Sequence, residues 1–94
     1  AQTRLLGREL REGQERLAIA LSEVDRAHFV EADRELIRAG AVLSHAHVQL
    51  LALGRSSESG QVLALLEGIE VARGLIVRMS VQQFETQQAA LASR

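Results

Sequence analysis

The stretch that decides the fold is Val62-Leu63-Ala64-Leu65-Leu66-Glu67-Gly68-Ile69-Glu70-Val71-Ala72-Arg73-Gly74-Leu75-Ile76-Val77-Arg78-Met79, and it is apolar around most of a helix. Its only charged residues are Glu67, Glu70, Arg73 and Arg78. At a helical period of about 3.6 residues, three of these charges form one narrow stripe and Arg73 lies off it. A surface helix needs one apolar face, whereas this helix has nearly two.

The segment from Ala41 to Leu53 shows the same pattern, since its aliphatic residues are broken only by two histidines, Ser44 and Gln49. Two helices with so much apolar surface must be covered on more than one side. A chain of 94 residues has little else to cover them, so the sequence predicts a partner.

The composition describes one domain, residues 1–94, with 47% hydrophobic residues and no proline, tryptophan, tyrosine or cysteine. Long helices around an aliphatic core are therefore expected. The formal charge of −1 and the near absence of aromatic residues argue against a nucleic-acid partner. No apolar run reaches the roughly 20 residues of a membrane span, and no secretory signal is visible, so we expect a cytoplasmic protein that does not bind membranes.

Periodicity predicts a first helix from Gln2 to about Val24, with an apolar stripe of Leu6, Leu10, Gly13, Leu17, Leu21 and Val24. Asp25 to His28 is the expected junction, where Asp25 would cap the next helix, although the first two helices could also run on continuously. The second helix is predicted from Phe29 to Leu53. Gly40 in its middle suggests a closely approaching helix, and Gly54 has the position of a C-terminal cap.

The polar segment 55–60 is the clearest loop, in which Ser56 or Ser57 would cap a third helix running from about Glu58 to Met79. A short connection of this kind makes the second and third helices an antiparallel hairpin. A fourth helix, Val81 to Ala92, could follow with Phe84 facing inward, or the third helix could continue. The predicted fold is an all-α antiparallel bundle of three to four helices, with Leu43 and Leu66 near its centre.

The sequence offers no catalytic group and predicts neither a metal nor a cofactor. His45 and His47 are two residues apart, roughly 200° around a helix, and cannot share one metal ion without distortion. We expect one of them to be half-buried and the other exposed. Glu31, Asp33 and Glu35 resemble a solvated face, because they have Arg34 and Arg38 at helical spacing.

Two segments, Ala20-Leu21-Ser22-Glu23-Val24-Asp25 and Leu36-Ile37-Arg38-Ala39-Gly40-Ala41-Val42-Leu43-Ser44, resemble flagellar secretion chaperones of the FliS type. In that family a helix with a Leu-Ile-x-Lys-Ala-x-x-Ile-Ile-type core follows an acidic turn, and here Arg38-Ala39 occupies the place of Lys-Ala. The family's third helix carries a Leu-Tyr-x-Tyr element and an Ala-Asn turn. This chain has Leu66-Glu67-Gly68-Ile69 there, and it contains no tyrosine or asparagine.

The resemblance implies a cytosolic export chaperone that binds the C-terminal helical segment of flagellin and prevents premature polymerisation. The alternative is a structural or scaffolding bundle that buries its surplus apolar surface by forming a homo-oligomer. In either case apolar residues of the second and third helices should meet the partner, although the sequence does not separate core from groove. The expected partner-binding residues are Leu43, Leu50, Leu51, Leu63, Leu66, Ile69, Leu75 and Ile76.

Overall fold

A computed structural model describes residues 2–93 of the chain as three helices joined by two short connections. They are α1 (Gln2–Asp25), α2 (Phe29–Ala52) and α3 (Ser56–Ala92), and no strand occurs in the described range. The all-α prediction is confirmed. The fourth helix is not formed, because α3 continues through Ser80 to Ala92 and Phe84 is 60% exposed instead of facing inward.

Pairs of side chains that join neighbouring helices show that consecutive helices are antiparallel. Between α1 and α2, Glu9 contacts His45 and Arg16 contacts Glu35. Between α2 and α3, Asp33 contacts Arg73 and His47 contacts Ser59. In both pairs of helices, the residue number on one helix increases as the residue number of its contact on the other helix decreases. α2 is therefore the central helix, and α1 and α3 both pack against it.

The core follows spacings that alternate between three and four residues on every helix, as in coiled-coil packing. The α2 positions alternate alanine with leucine, and Leu43 and Leu50 are fully buried. The predicted central position of Leu43 is thus confirmed, whereas Leu66 is only half-buried at the edge of the core. The buried apolar residues are Leu6, Ala20, Ala32, Leu36, Ala39, Leu43, Ala46, Leu50, Val62, Ile69 and Ile76.

Close helix approach occurs at Gly13 of α1 and not at Gly40, where it was expected. A Cβ atom added to Gly13 would lie 2.6 Å from Cδ2 and 2.7 Å from Cγ of Leu43. An added Cβ at Gly40 would meet nothing within 4 Å. Gly13 therefore makes room for the central leucine of the core, and the absence of a side chain there is a packing requirement.

Both helix connections use the same arrangement of hydrogen bonds, the Schellman motif. After α2, the Gly54 and Arg55 amides donate to the Leu51 and Leu50 carbonyls at 3.0 and 2.9 Å. Gly54 has φ +72°, which confirms its predicted capping role.

The connection after α1 has the same hydrogen bonds, in which Ala27 and His28 donate to Val24 and Glu23 at 2.9 and 2.8 Å. Ala27 takes the left-handed position with φ 60°, which is unfavourable for a residue with a Cβ atom.

The predicted N-terminal caps are wrong. Asp25 is the last residue of α1, and α2 follows His28, whose side chain makes no capping hydrogen bond. α3 begins directly at Ser56 after Arg55, so most of the predicted loop is helical and neither Ser56 nor Ser57 is the cap residue. Instead, Arg55 makes a two-pronged ion pair with Glu58 in the first turn, through Nε and Nη2 at 2.8 and 2.6 Å.

α3 is much longer than its neighbours and extends beyond them. Its 37 residues span about 55 Å at 1.5 Å per residue, whereas the 24 residues of α2 span about 36 Å. The N-terminal end of α2 lies beside Ser80 and Val81, so the rest of α3 projects past the bundle. The molecule is accordingly elongated, with a longest dimension of 61 Å. Within residues 2–93, no helix combines the length and the hydropathy that crossing a membrane requires.

Replacing Ala27 with glycine should stabilise the protein. Glycine adopts a positive φ without steric cost, so we expect the free energy of unfolding to rise by about 1 kcal/mol. Urea denaturation measures this change. The matched control is Ala18→Gly on the exposed side of α1, which should instead lower the stability by about 1 kcal/mol. A loss of stability in both variants would show that Ala27 is not strained.

Replacing Gly13 with alanine should destabilise the protein, although alanine is the better helix former. The added methyl group would collide with Leu43, which is fully buried and cannot move aside, so we expect a loss of about 1–3 kcal/mol. Gly68→Ala is the control, since that position is open and should gain up to about 1 kcal/mol. Thermal or urea unfolding would contradict the assignment if the two variants proved equally stable.

Candidate helix-docking surface

The structure divides the eight predicted partner-binding residues into three groups. Leu43, Leu50, Ile69 and Ile76 are buried in the core of the bundle, where they contact other residues of the same chain. Leu66 is half-buried against that core. Only the last group is exposed to a partner, and it consists of Leu51, Leu63 and Leu75.

A cleft between the C-terminal half of α1 and the middle of α3 contains two of the eight residues, Leu75 and Ile76. We call it the α1–α3 cleft. Its exposed rim is formed by Leu21, which is 69% exposed, and by Leu75, which is 51% exposed. None of its lining residues is polar or charged. They are Ala20, Leu21, Val24, Leu36, Ala72, Leu75, Ile76 and Met79.

Helical geometry explains why adjacent residues take different roles in this cleft. Leu75 and Ile76 are separated by about 100° around α3, so that Ile76 enters the core while Leu75 lies on the rim. In the same way Ala20 is buried and Leu21 is exposed on α1. Each helix therefore supplies one aliphatic side chain to the core and the neighbouring one to the surface.

Leu21 was placed in the apolar stripe of the first helix, but the structure leaves it exposed and buries Ala20 instead. The stripe that α1 buries or half-buries is Leu6, Leu10, Gly13, Leu17, Ala20 and Val24. Its spacings alternate strictly between four and three, whereas Leu21 breaks the alternation. That regularity is the signal in the sequence that assigns Ala20 to the core and Leu21 to the surface, because a coiled-coil core repeats every seven residues.

Several charged residues pair across the borders between helices. Glu35 accepts hydrogen bonds from Arg16 of α1 at 3.1 Å and from Arg38 at 2.8 Å. Asp33 accepts from Nε of Arg73 at 2.8 Å. The predicted solvated face is therefore wrong for Asp33 and Glu35, which are half-buried between helices. Glu31 is exposed as predicted, and the expected pair of Glu35 with Arg38 is present.

The contact between Asp33 and Arg73 also changes the titration of the arginine. The hydrogen bond to Asp33, and next the negative charge of that carboxylate, raise the pKa of Arg73 above its usual value. The guanidinium of Arg73 is held against α2 by Asp33. The exposed charged stripe of α3, which contains Glu67, Glu70 and Arg78, lies on another side of the helix. The α1–α3 cleft itself contains no such group, so an apolar ligand meets no competing charge there.

One histidine of α2 is exposed and the other half-buried, as predicted, and they face different helices. His45 is exposed, and its Nδ1 lies 2.7 Å from Oε1 of Glu9 on α1. His47 is half-buried, with Nδ1 2.9 Å from the Ser59 hydroxyl and 3.1 Å from the Ser59 carbonyl oxygen of α3. Among residues 2–93 no three histidine, aspartate or glutamate side chains are grouped as metal ligands would be.

Compared with known protein families, with curated proteins and with solved structures, the chain matches none of them. The fold and the surface together define an antiparallel helical bundle with an exposed, purely apolar cleft between two of its helices.

Charged substitutions at two neighbouring positions of α3 should affect stability differently, because one position lies on the rim of the cleft and the other in the core. Leu75→Glu should change the free energy of unfolding by less than about 0.5 kcal/mol, because the new carboxylate stays in water. Ile76→Glu places a charge at a position only 5% exposed and should unfold the protein or greatly destabilise it. Circular dichroism during thermal unfolding measures both variants. Equal effects would mean that the cleft is placed wrongly.

Proposed function

We propose that this chain is a non-enzymatic binding protein that docks an amphipathic helical segment of another protein in the α1–α3 cleft. The observation that supports this proposal is the exposure of Leu21 and Leu75 at the rim of a cleft without polar lining. Exposed apolar side chains cost free energy when water surrounds them, and contiguous patches of them are typical of interaction sites.

The lining of the cleft suits the apolar face of a helix, because it offers no polar group that would orient a small molecule. It runs between α1 and α3, which are parallel to each other because both are antiparallel to α2, and its floor is formed by Ala20, Leu36 and Ala72. The two alanines of the floor let the backbone of a docked helix come close, while the rim leucines pack against its sides. A client helix would insert apolar side chains at positions i, i+3, i+4 and i+7, as in other helix-in-groove complexes.

The resemblance to secretion chaperones of the FliS type suggests the client. In that interpretation the client is the C-terminal segment of flagellin, and the chain acts in the cytosol before export by keeping that segment from polymerising. Such a segment is disordered when free and becomes helical when it docks. The general proposal of helix binding depends on the cleft, and the choice of flagellin depends on the sequence resemblance.

Titration with a flagellin C-terminal peptide tests the proposal. We expect a saturable gain of helix by circular dichroism beyond the sum of the two components. Leu21→Glu and Leu75→Glu should each weaken binding by roughly thirtyfold, the effect of losing a binding hot spot of about 2 kcal/mol. Val48→Glu is the matched control, because Val48 is 59% exposed on α2 but does not line the cleft.

The outcomes separate the two parts of the proposal. Binding of other amphipathic helices, but not of the flagellin peptide, would refute the client and leave the helix-binding function intact. Failure to bind any amphipathic peptide at tens of micromolar would refute both. Equal weakening by Val48→Glu and by Leu75→Glu would move the binding site away from the cleft.

A further inference from the structure

The C-terminal end of α3 is a helix without tertiary support. Every residue from Val81 to Ser93 is exposed, and the N-terminal end of α2 lies beside Ser80 and Val81. Isolated helices shorter than about 12–15 residues are only marginally stable in water. Phe84 and Leu91 nevertheless place large apolar side chains on this end. The projecting end therefore has the properties of a helix that is covered by another molecule.

Two different stripes of side chains run along α3, and only one of them faces its own bundle. The bundle-facing stripe is buried or half-buried and consists of Ser59, Val62, Leu66, Ile69, Arg73, Ile76 and Ser80. Its next positions are Gln83, Gln87 and Ala90, which have little apolar surface to bury. The core-forming stripe of α3 thus stops beside Phe29, the first residue of α2.

The second stripe overlaps the end of the first, since it begins at Gly74, and it is shifted by one residue, about 100° around the helix. It also alternates spacings of three and four residues, but all its members are exposed. We call it the outer stripe, and it consists of Gly74, Val77, Val81, Phe84, Gln88 and Leu91. It extends over 18 residues, about 27 Å, and it has the pattern of one strand of a coiled coil without its partner.

We propose that the outer stripe packs antiparallel against the outer stripe of a second copy of this chain. In one register, every residue of the outer stripe faces a residue of the partner's outer stripe. With the two-fold axis between residues 82 and 83, Val81 faces the partner's Phe84, and Phe84 faces the partner's Val81. In the same register Leu91 faces the partner's Gly74, where the missing side chain leaves open space for it.

The charges beside the outer stripe favour this orientation. Arg78 and Glu85 are exposed and flank the stripe on the same side. The antiparallel register places Arg78 next to the partner's Glu85, and the symmetry repeats this pair. A parallel in-register arrangement would leave Arg78 and the partner's Glu85 seven residues apart along the axis, about 10 Å, and so would not form this pair. Charge complementarity of this kind selects orientation in coiled coils.

The second copy also fills a space at the end of α2. A shallow pocket lies between α2 and α3 on the side of the outer stripe. Apolar and small residues line it together with the charged residues Asp33 and Arg34; the others are Phe29, Val30, Ile76, Val77, Ser80 and Val81. Because Phe84 of the second copy would face Val81, its ring reaches this pocket. Each projecting end would therefore cover the hairpin of α2 and α3 in the other copy, as a fourth helix of a bundle would.

This dimer goes beyond the proposed function, since it uses another side of α3. Leu75 of the α1–α3 cleft and Val77 of the outer stripe are two residues apart and lie on nearly opposite sides of the helix. A client helix and a second copy could consequently be bound at the same time. Substitutions in one surface should leave the other unaffected.

Sedimentation equilibrium of the whole chain, from low to high micromolar concentration, tests the dimer. We expect reversible dimers for the wild type and monomers for Phe84→Glu and Leu91→Glu, with the helical content of the bundle retained. Val48→Glu is the control and should dimerise like the wild type. A wild type that stays monomeric throughout, or a Phe84→Glu variant that still dimerises, would overturn the proposal.

Charge exchange tests the register. Arg78→Glu and Glu85→Arg should each raise the dimer dissociation constant by about tenfold, since two weak ion pairs become repulsive contacts. The double variant should restore wild-type affinity. Gln88→Leu should tighten the dimer, because a polar residue in such a stripe lowers stability. Failure of the double variant to recover affinity would refute the antiparallel register.

A distance measurement tests the orientation directly. The sequence has no cysteine, so Ser93→Cys carries a unique spin label. Labels on the two copies should be about 30 Å apart in the antiparallel dimer, because 21 helical residues separate these positions along the axis. Adjacent labels would indicate a parallel pair and overturn the proposal. If Phe84→Glu is monomeric yet still binds the client peptide, the dimer and the proposed function are shown to be separate.

Discussion

The contact between Leu43 and Gly13 is the constraint on which the arrangement of the bundle depends. Leu43 is the central residue of a helix that alternates leucine and alanine along its buried face, and it is completely enclosed. Only a glycine in α1 leaves room for it. This contact fixes the distance between α1 and α2 and also their register. The cross-helix pairs from Glu9 to His45 and from Arg16 to Glu35 follow from that register.

Most of the fold could be predicted from the spacing of aliphatic residues. The absence of proline predicted long helices, Gly54 marked the end of α2, and the junction before Phe29 was placed correctly. The caps of α2 and α3 were predicted wrongly, because capping preferences are small and other local contacts outweigh them here. The left-handed Ala27 could not be foreseen either, since alanine rarely adopts a positive φ.

The candidate site was less predictable than the fold, for a reason that lies in α3. A helix that is apolar on nearly all sides does not show which side its neighbour occupies. Ile76 and Leu75 are equally hydrophobic, yet one is in the core and the other on the rim of the cleft. Asp33 and Glu35 were misjudged for a related reason, because local spacing to arginines in the same helix concealed their partners in α1 and α3. The seven-residue repeat of core positions separates Ile76 from Leu75 better than hydrophobicity does.

The placement of α2 between two antiparallel neighbours has a consequence for how the chain folds. Each of its two hairpins closes through a connection of three residues, so that contacting residues are close in sequence near both turns. Proteins dominated by such local contacts have low contact order and fold within microseconds to milliseconds. Because both hairpins use α2, neither can form its packed face without it. The central helix is therefore the element that we expect to be structured in the transition state for folding, with α1 and α3 joining it from either side.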